Sequence, residues 1–159
     1  MGARETPATR AAARAGIQFA THEYEHDPKA ESYGSEAAER MGVQPDRVFK
    51  TLLAEVDARL TVAVVPVNRQ LDLKSLAAAI GAKRATMADG AAAERATGYV
   101  VGGISPLGQR KPLATYIDQS ASNFETVFVS AGRRGLEIEI SPADLLRLTD
   151  GAMAVLSRV

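Results

Sequence analysis

The chain has 159 residues, 46% of them hydrophobic, enough for one domain with a real core. Nineteen basic residues balance nineteen acidic ones, so no strong overall positive field holds nucleic acid, and any such contact must come from local patches. The absence of cysteine excludes a cysteine nucleophile, a disulfide framework and thiolate metal sites, and it suits a reducing compartment.

In chain order, Thr6-Pro7 reads as N-cap and first position of a helix over Ala8 to Ala15, stopped by Gly16. Gln18 to Tyr24 alternates and contains β-formers, so a strand is expected, ended by Asp27-Pro28. Ser35 to Met41 forms a short helix closed by Gly42. After Pro45-Asp46, Val48 to Glu55 and Leu60 to Val65 read as two strands joined by Val56-Asp57-Ala58-Arg59. Asp72 caps a helix through Ile80, with Leu73, Leu76, Ala77 and Ile80 at helical spacing and Gly81 at its end. Asp89 caps another through Ala96, stopped by Gly98. Tyr99 to Val101 is expected as a strand, as are Leu113 to Ile117, Thr126 to Ser130 and Leu136 to Ile140; Gly132 to Gly135 is a hairpin connection. In the last strand Leu136, Ile138 and Ile140 face one way, Glu137 and Glu139 the other. Ser141-Pro142-Ala143-Asp144 opens a C-terminal helix. With no repeat and no composition break, residues 1–159 read as one mixed α/β domain with an antiparallel component.

No stretch approaches the roughly twenty apolar residues of a membrane span, and Met1 to Pro7 lacks an apolar signal core. A soluble cytoplasmic protein with no membrane contact is therefore expected.

The segment Thr97 to Gly108 is the first candidate for chemistry. A short apolar run enters Gly102-Gly103, then Ile104-Ser105-Pro106, then Gly108. Such a loop offers backbone N–H groups to an oxygen-rich or anionic group with little side-chain bulk in the way. An ordinary glycine turn between strands has the same letters, and the residues alone leave both readings open. Gly103 to Gln109 mimics a phosphate-binding loop, but Gln109 and Arg110 replace the required lysine and hydroxyl residue, and Pro112 interrupts any helix. His22-Glu23-Tyr24-Glu25-His26 matches the letters of a zinc-protease motif. That motif works only on a helix; on a strand the two rings lie ~13 Å apart, too far for one ion, so no metal is expected. No nucleophile elbow is present, and two histidines are a thin supply for a serine triad.

Lys50 stands in Arg47-Val48-Phe49-Lys50-Thr51-Leu52-Leu53, with apolar neighbours on both sides. Such a lysine lies on the solvent face of an edge strand or meets a partner or cavity, and the residues alone do not choose. Basic pairs occur at Lys83-Arg84, Arg110-Lys111 and Arg133-Arg134, each a solvated turn or a phosphate contact; the second abuts the glycine loop.

Several stretches together resemble the YbaK/ProX aminoacyl-tRNA editing superfamily, in its YbaK branch of Cys-tRNA(Pro)/Cys-tRNA(Cys) deacylases. They are His22 to Pro28, Phe49 to Leu53, Gln70-Leu71-Asp72-Leu73-Lys74, Met87-Ala88-Asp89, Thr97-Gly98-Tyr99 through Gly108-Gln109, and Val129-Ser130 with Arg134-Gly135-Leu136. The resemblance runs from about Ile17 to Leu148, in register apart from a shorter hairpin near Asp57. It implies a curved, mostly antiparallel mixed sheet or partial barrel with helices around it. It implies trans-editing, the removal of cysteine from the acceptor end of mischarged proline tRNA, with prolyl-tRNA synthetase as partner and no cofactor.

By the same resemblance Lys50 holds the substrate end, at the phosphate or ribose of the terminal adenosine, and is catalytic together with Gly102 and Gly103. Tyr24, Tyr33, Thr51, Ile104, Ser105, Pro106, Ser130 and Glu137 then bind substrate. Tyr33 stands where the family often has phenylalanine, and Glu137 where it often has aspartate. The family mechanism needs no protein nucleophile: the substrate's own thiol attacks its ester carbonyl, expels the tRNA hydroxyl and leaves a cyclic thiolactone, while backbone N–H groups stabilise the oxyanion. Two alternatives are a related Ala-tRNA(Pro) deacylase that uses water, and a non-catalytic nucleotide- or tRNA-binding module.

Overall fold

One long antiparallel pair frames the molecule. In the computed structural model, which describes residues 5–29 and 33–159 and omits the side chains of 33 and 34, β2 (Phe49–Val56) pairs with β3 (Arg59–Pro66) from Phe49↔Pro66 to Val56↔Arg59. The turn between them is only Asp57-Ala58, both with positive φ (47° and 69°), the hand that suits the twist of a tight hairpin. The Asp57 carboxylate accepts the N–H groups of Lys83 and Arg84 and so ties the turn to β5 (Ala85–Met87). β6 (Ala114–Asp118) and β9 (Ala152–Ala154) extend the sheet in parallel, in the order β5-β2-β3-β6-β9.

A second, antiparallel sheet has β8 (Leu136–Ile140) between β1 (Ala20–Glu23) and β7 (Val127–Arg133). A register shift between Ser130 and Arg133 kinks β7 beside its hairpin. A small third sheet pairs β4 (Gln70–Leu71) with β10 (Ser157–Arg158).

The helices follow the caps expected from sequence. α1 (Pro7–Arg14) is capped by Thr6 in a capping box with Thr9, α3 (Leu73–Ile80) by Asp72, α4 (Gly90–Thr97) by Asp89, and α5 (Pro142–Thr149) by Ser141. α2 (Tyr33–Met41) begins two residues earlier than expected.

Alternation in the strands sets the layers. Leu136, Ile138 and Ile140 of β8 and Val127 and Val129 of β7 pack on Phe49, Leu53, Val62 and Val64 as the main core. The opposite face of the first sheet, with Ala54, Ala63 and Val65, is covered by Leu76 of α3. The opposite face of the second sheet, with Phe128, lies under Ala37 and Ala38 of α2.

The expectation of a strand at Tyr99 to Val101 is corrected: these residues form turns. The N–H groups of Tyr99, Val101 and the following Gly103 are captured locally rather than by a ladder. Tyr99 donates to Thr97 Oγ1 (3.2 Å), Val101 to Glu94 Oε2 (2.8 Å), and Gly103 to Val100 O (2.9 Å). No helix among the described residues is long and apolar enough to cross a membrane.

Candidate active site

The first sheet is incomplete at one edge, and that gap makes the site. β5 pairs with β2 only at Ala54 to Val56, Ala88 N–H closes on Leu53 O (3.0 Å), and Val48 bridges to Phe128 of β7. Between these attachments, no strand among the described residues pairs with the outer side of β2 from Phe49 to Leu52. An open edge offers a row of backbone donors and acceptors. Here the edge forms one wall of a cavity of about 400 Å³. The other walls come from Ser130 and Glu137 of the second sheet, Ala37 of α2, the segment Met87 to Ala93, and the loop from Val101 to Ile104.

Lys50, Thr51, Tyr24, Gly102, Ile104, Ser130 and Glu137 are brought together in this cavity from five separate parts of the chain. Lys50 is half-buried, and loss of water pulls its pKa below the ordinary lysine value. Among the described residues no carboxylate pairs with it. It pairs with Val65 in the β2–β3 ladder and lines the cavity. Beside it, Thr51 Oγ1 is buried with no hydrogen-bond partner. A buried hydroxyl of that kind costs about 1–3 kcal/mol unless something bonds to it.

Glu137 is 6% exposed, and burial pushes its carboxyl up to about 8. Loss of water thus favours the protonated carboxyl. Ser130 sits opposite it in the β7–β8 register, and its Oγ accepts Gly132 N–H (3.1 Å). Tyr24 is fixed by its N–H to Gly135 O (2.9 Å); burial first, then the Glu137 charge, pushes its phenol up to about 12.

The glycine loop divides into a wall and a backing. Gly102, with φ +92°, and Ile104 are at the cavity, and among the described residues neither N–H has an intramolecular acceptor. Gly103 lies behind the wall: its N–H is spent on Val100 O, and a Cβ there would meet Arg133 Cα at 2.9 Å and Arg134 N at 3.0 Å. Ser105 is fully buried, its Oγ accepting Leu107 N–H (3.1 Å), and neither it nor Pro106 lines the cavity. The expected grouping of Gly103, Ser105 and Pro106 with the substrate is thus not what the geometry brings together; they shape the loop. The Tyr33 side chain lies outside the described residues.

The two histidines are held apart from the cavity. His22 Nε2 is 2.9 Å from Glu139 Oε1, and Glu139 also accepts the Thr126 hydroxyl (2.6 Å) with the Arg47 guanidinium 3.7 Å away. His26 Nδ1 is 2.7 Å from Glu36 Oε1, whose other oxygen accepts Asp27 N–H. The letters of the zinc motif therefore resolve into two structural carboxylate–histidine pairs on different elements. Met87, Gly90 and Ala93 were not expected at the site; the only signal was the resemblance of Met87-Ala88-Asp89.

Comparison with known proteins places this geometry in context. The model of the aminoacyl-tRNA editing domain family matches residues 27–148. A protein of Enterococcus faecalis carrying the name Cys-tRNA(Pro)/Cys-tRNA(Cys) deacylase EbsC is 42% identical over 118 residues, 74% of this chain and 72% of that one. A proline–tRNA ligase of Moorella thermoacetica is 34% identical over 97 residues, 60% of this chain but only 17% of the ligase. A solved structure described as a trans-editing enzyme for prolyl-tRNA synthetase superposes with TM-score 0.87 at 21% identity, covering 100% of this chain and 99% of its own. The hypothetical protein APE2540 superposes with TM-score 0.86 at 23% identity, covering 96% of this chain and all of its own.

Proposed function

The chain belongs to the aminoacyl-tRNA editing domain family, and from that premise we propose that it is a trans-editing deacylase that removes cysteine from mischarged Cys-tRNA(Pro). The observation that carries this reading is a cavity with an open strand edge, an unpartnered Thr51 hydroxyl, a desolvated Lys50 and no nucleophile–base pair among its described residues. Ser130 and Thr51 bring hydroxyls to the cavity, yet both histidines are bound to carboxylates elsewhere. We propose that the nucleophile comes with the substrate.

In this reading the thiol sulfur of the esterified cysteine attacks its own carbonyl carbon. The S–C bond forms, the C–O bond to the ribose breaks, and the thiol proton ends on the departing tRNA hydroxyl, so a thiolactone and free tRNA balance the step. The chain's part is to hold the ester and stabilise the oxyanion. The N–H groups of Gly102 and Ile104 are the available donors at the wall, and one such donor is typically worth about 3–4 kcal/mol. Lys50 takes the phosphate or ribose oxygens of the terminal adenosine. Glu137 and Thr51 supply polar contacts to the cysteinyl amino group. Prolyl-tRNA synthetase is the partner that delivers the mischarged tRNA, a reading supported by the related stretch within the Moorella ligase.

The test is turnover of purified Cys-tRNA(Pro), with and without prolyl-tRNA synthetase. Release of free tRNA by the chain alone, faster when synthetase is added, is the expected result. No release under either condition overturns the deacylase reading in favour of a binding module.

A further inference from the structure

The rim of the cavity carries an apolar ledge that the chemistry of the ester does not use. Met87 is 50% exposed, Val101 43% and Val100 56%. Met87 and Val101 also line the cavity mouth, and Val101 Cγ2 comes within 3.7 Å of the place a Cβ on Gly90 would occupy. Met87 and Val101 therefore join the exposed surface to the pocket, and exposed Val100 adjoins Val101 in the chain. Its backbone is fixed from below and from the side: Glu94 accepts Val101 N–H, and the Arg134 guanidinium donates to Val101 O. Arg110 lies against Gly98, with Nε 3.6 Å from a Cβ position there, at the start of the same loop. Cations thus border the ledge. The carboxylates near it, Glu94 and Asp89, are turned to backbone N–H groups at Val101 and Ala92.

A cavity of about 400 Å³ is at the small end of ligand sites, which span ~300–1,000 Å³. It has room for one aminoacylated nucleoside, so the nucleotides that precede it must cross the rim. We infer that Met87, Val100 and Val101 form the platform on which the unpaired bases preceding the terminal adenosine rest, with their phosphates toward Arg134 and Arg110. This inference rests on the deacylase reading and assigns the next part of the same substrate. Single-stranded nucleic acid is commonly held by bases stacked on aromatic side chains and by cations along the backbone; here the aliphatic faces of Met87, Val100 and Val101 take the aromatic place.

Val100 is the residue to test, because it belongs to the ledge and not to the cavity wall. Two substrates carrying the same cysteinyl ester separate the sites: 3′-O-cysteinyl-adenosine, which fills only the cavity, and full-length Cys-tRNA(Pro). Val100→Asp is expected to raise KM for the tRNA about tenfold, the size of losing one base contact, and to leave turnover of the nucleoside ester unchanged. Val100→Leu, which keeps the apolar surface, is expected to behave as the parent with both. Equal loss on both substrates, or no loss on either, overturns the inference while leaving the deacylase reading intact. Failure of the parent protein to cleave either substrate overturns the deacylase reading itself and the platform with it.

Discussion

Lys50 is the residue whose surroundings most constrain its role. Burial has already removed part of its hydration and lowered its pKa, so an incoming anion finds a cation with less water to displace. Lys50→Ala is expected to raise KM for the aminoacyl-tRNA by about ten- to a hundredfold, the loss of one charged hydrogen bond, with a smaller change in kcat. Steady-state kinetics separate the two, and an unchanged KM contradicts the role. Glu137 gives a prediction in pH. Its carboxyl moves from an ordinary 4.5 to about 8 on folding, so the native state holds the proton more tightly. Its contribution to stability is complete below about pH 4.5 and is lost as the pH rises through about 8. Glu137→Gln, which cannot ionise, is expected to flatten that decline, as urea denaturation across this window measures. Lys50 was legible in the sequence as a charge among apolar neighbours. The burial of Glu137 was not, because alternation along β8 tells which residues share a face but not that a second layer covers the polar one.

At the scale of elements, the glycine loop has turned out to be two devices. Gly102 forms wall; Gly103 lets the loop lie directly on the β7–β8 hairpin, against backbone atoms that cannot move aside. Gly103→Ala is therefore expected to destabilise the fold by about 1–3 kcal/mol through overpacking, seen as a lowered denaturation midpoint, and not merely to impair catalysis. A midpoint equal to the parent's contradicts the packing. The long strands β2, β3, β7 and β8 and the capped helices α1, α3, α4 and α5 were readable because alternation and cap residues act locally. The two- and three-residue strands β4, β5, β9 and β10 were not, since their pairing comes from distant segments. Tyr99 to Val101 misled because its β-formers suit a strand, while Thr97 Oγ1 and Glu94 Oε2 take the backbone donors first.

For the molecule as a whole, the expected mixed, mostly antiparallel sheet with surrounding helices agrees with the observed architecture and its structural neighbours. What the sequence could not convey is that the two sheets meet at an unfinished edge of β2, and that the cavity lies at this seam. Asp118 closes the far end of the same sheet. Burial alone raises its pKa, but hydrogen bonds from Ser120, Leu156 and Ser157 outweigh it, holding the C-terminal segment across β6 and keeping the carboxyl below the usual range. The half of the sheet tied by Asp118 holds the frame, and the open half is where we propose that the chain end is received.

In the proposed reaction the substrate supplies its own nucleophile. The most direct measurement compares deacylation of Cys-tRNA(Pro) with that of Ser-tRNA(Pro) and Ala-tRNA(Pro) by the purified protein at equal concentration. Serine has nearly the shape of cysteine but a far weaker nucleophile, and alanine has none. Rapid loss of cysteine with little or no loss of serine and alanine is the predicted result; comparable cleavage of all three esters contradicts it and points to water as the attacking group.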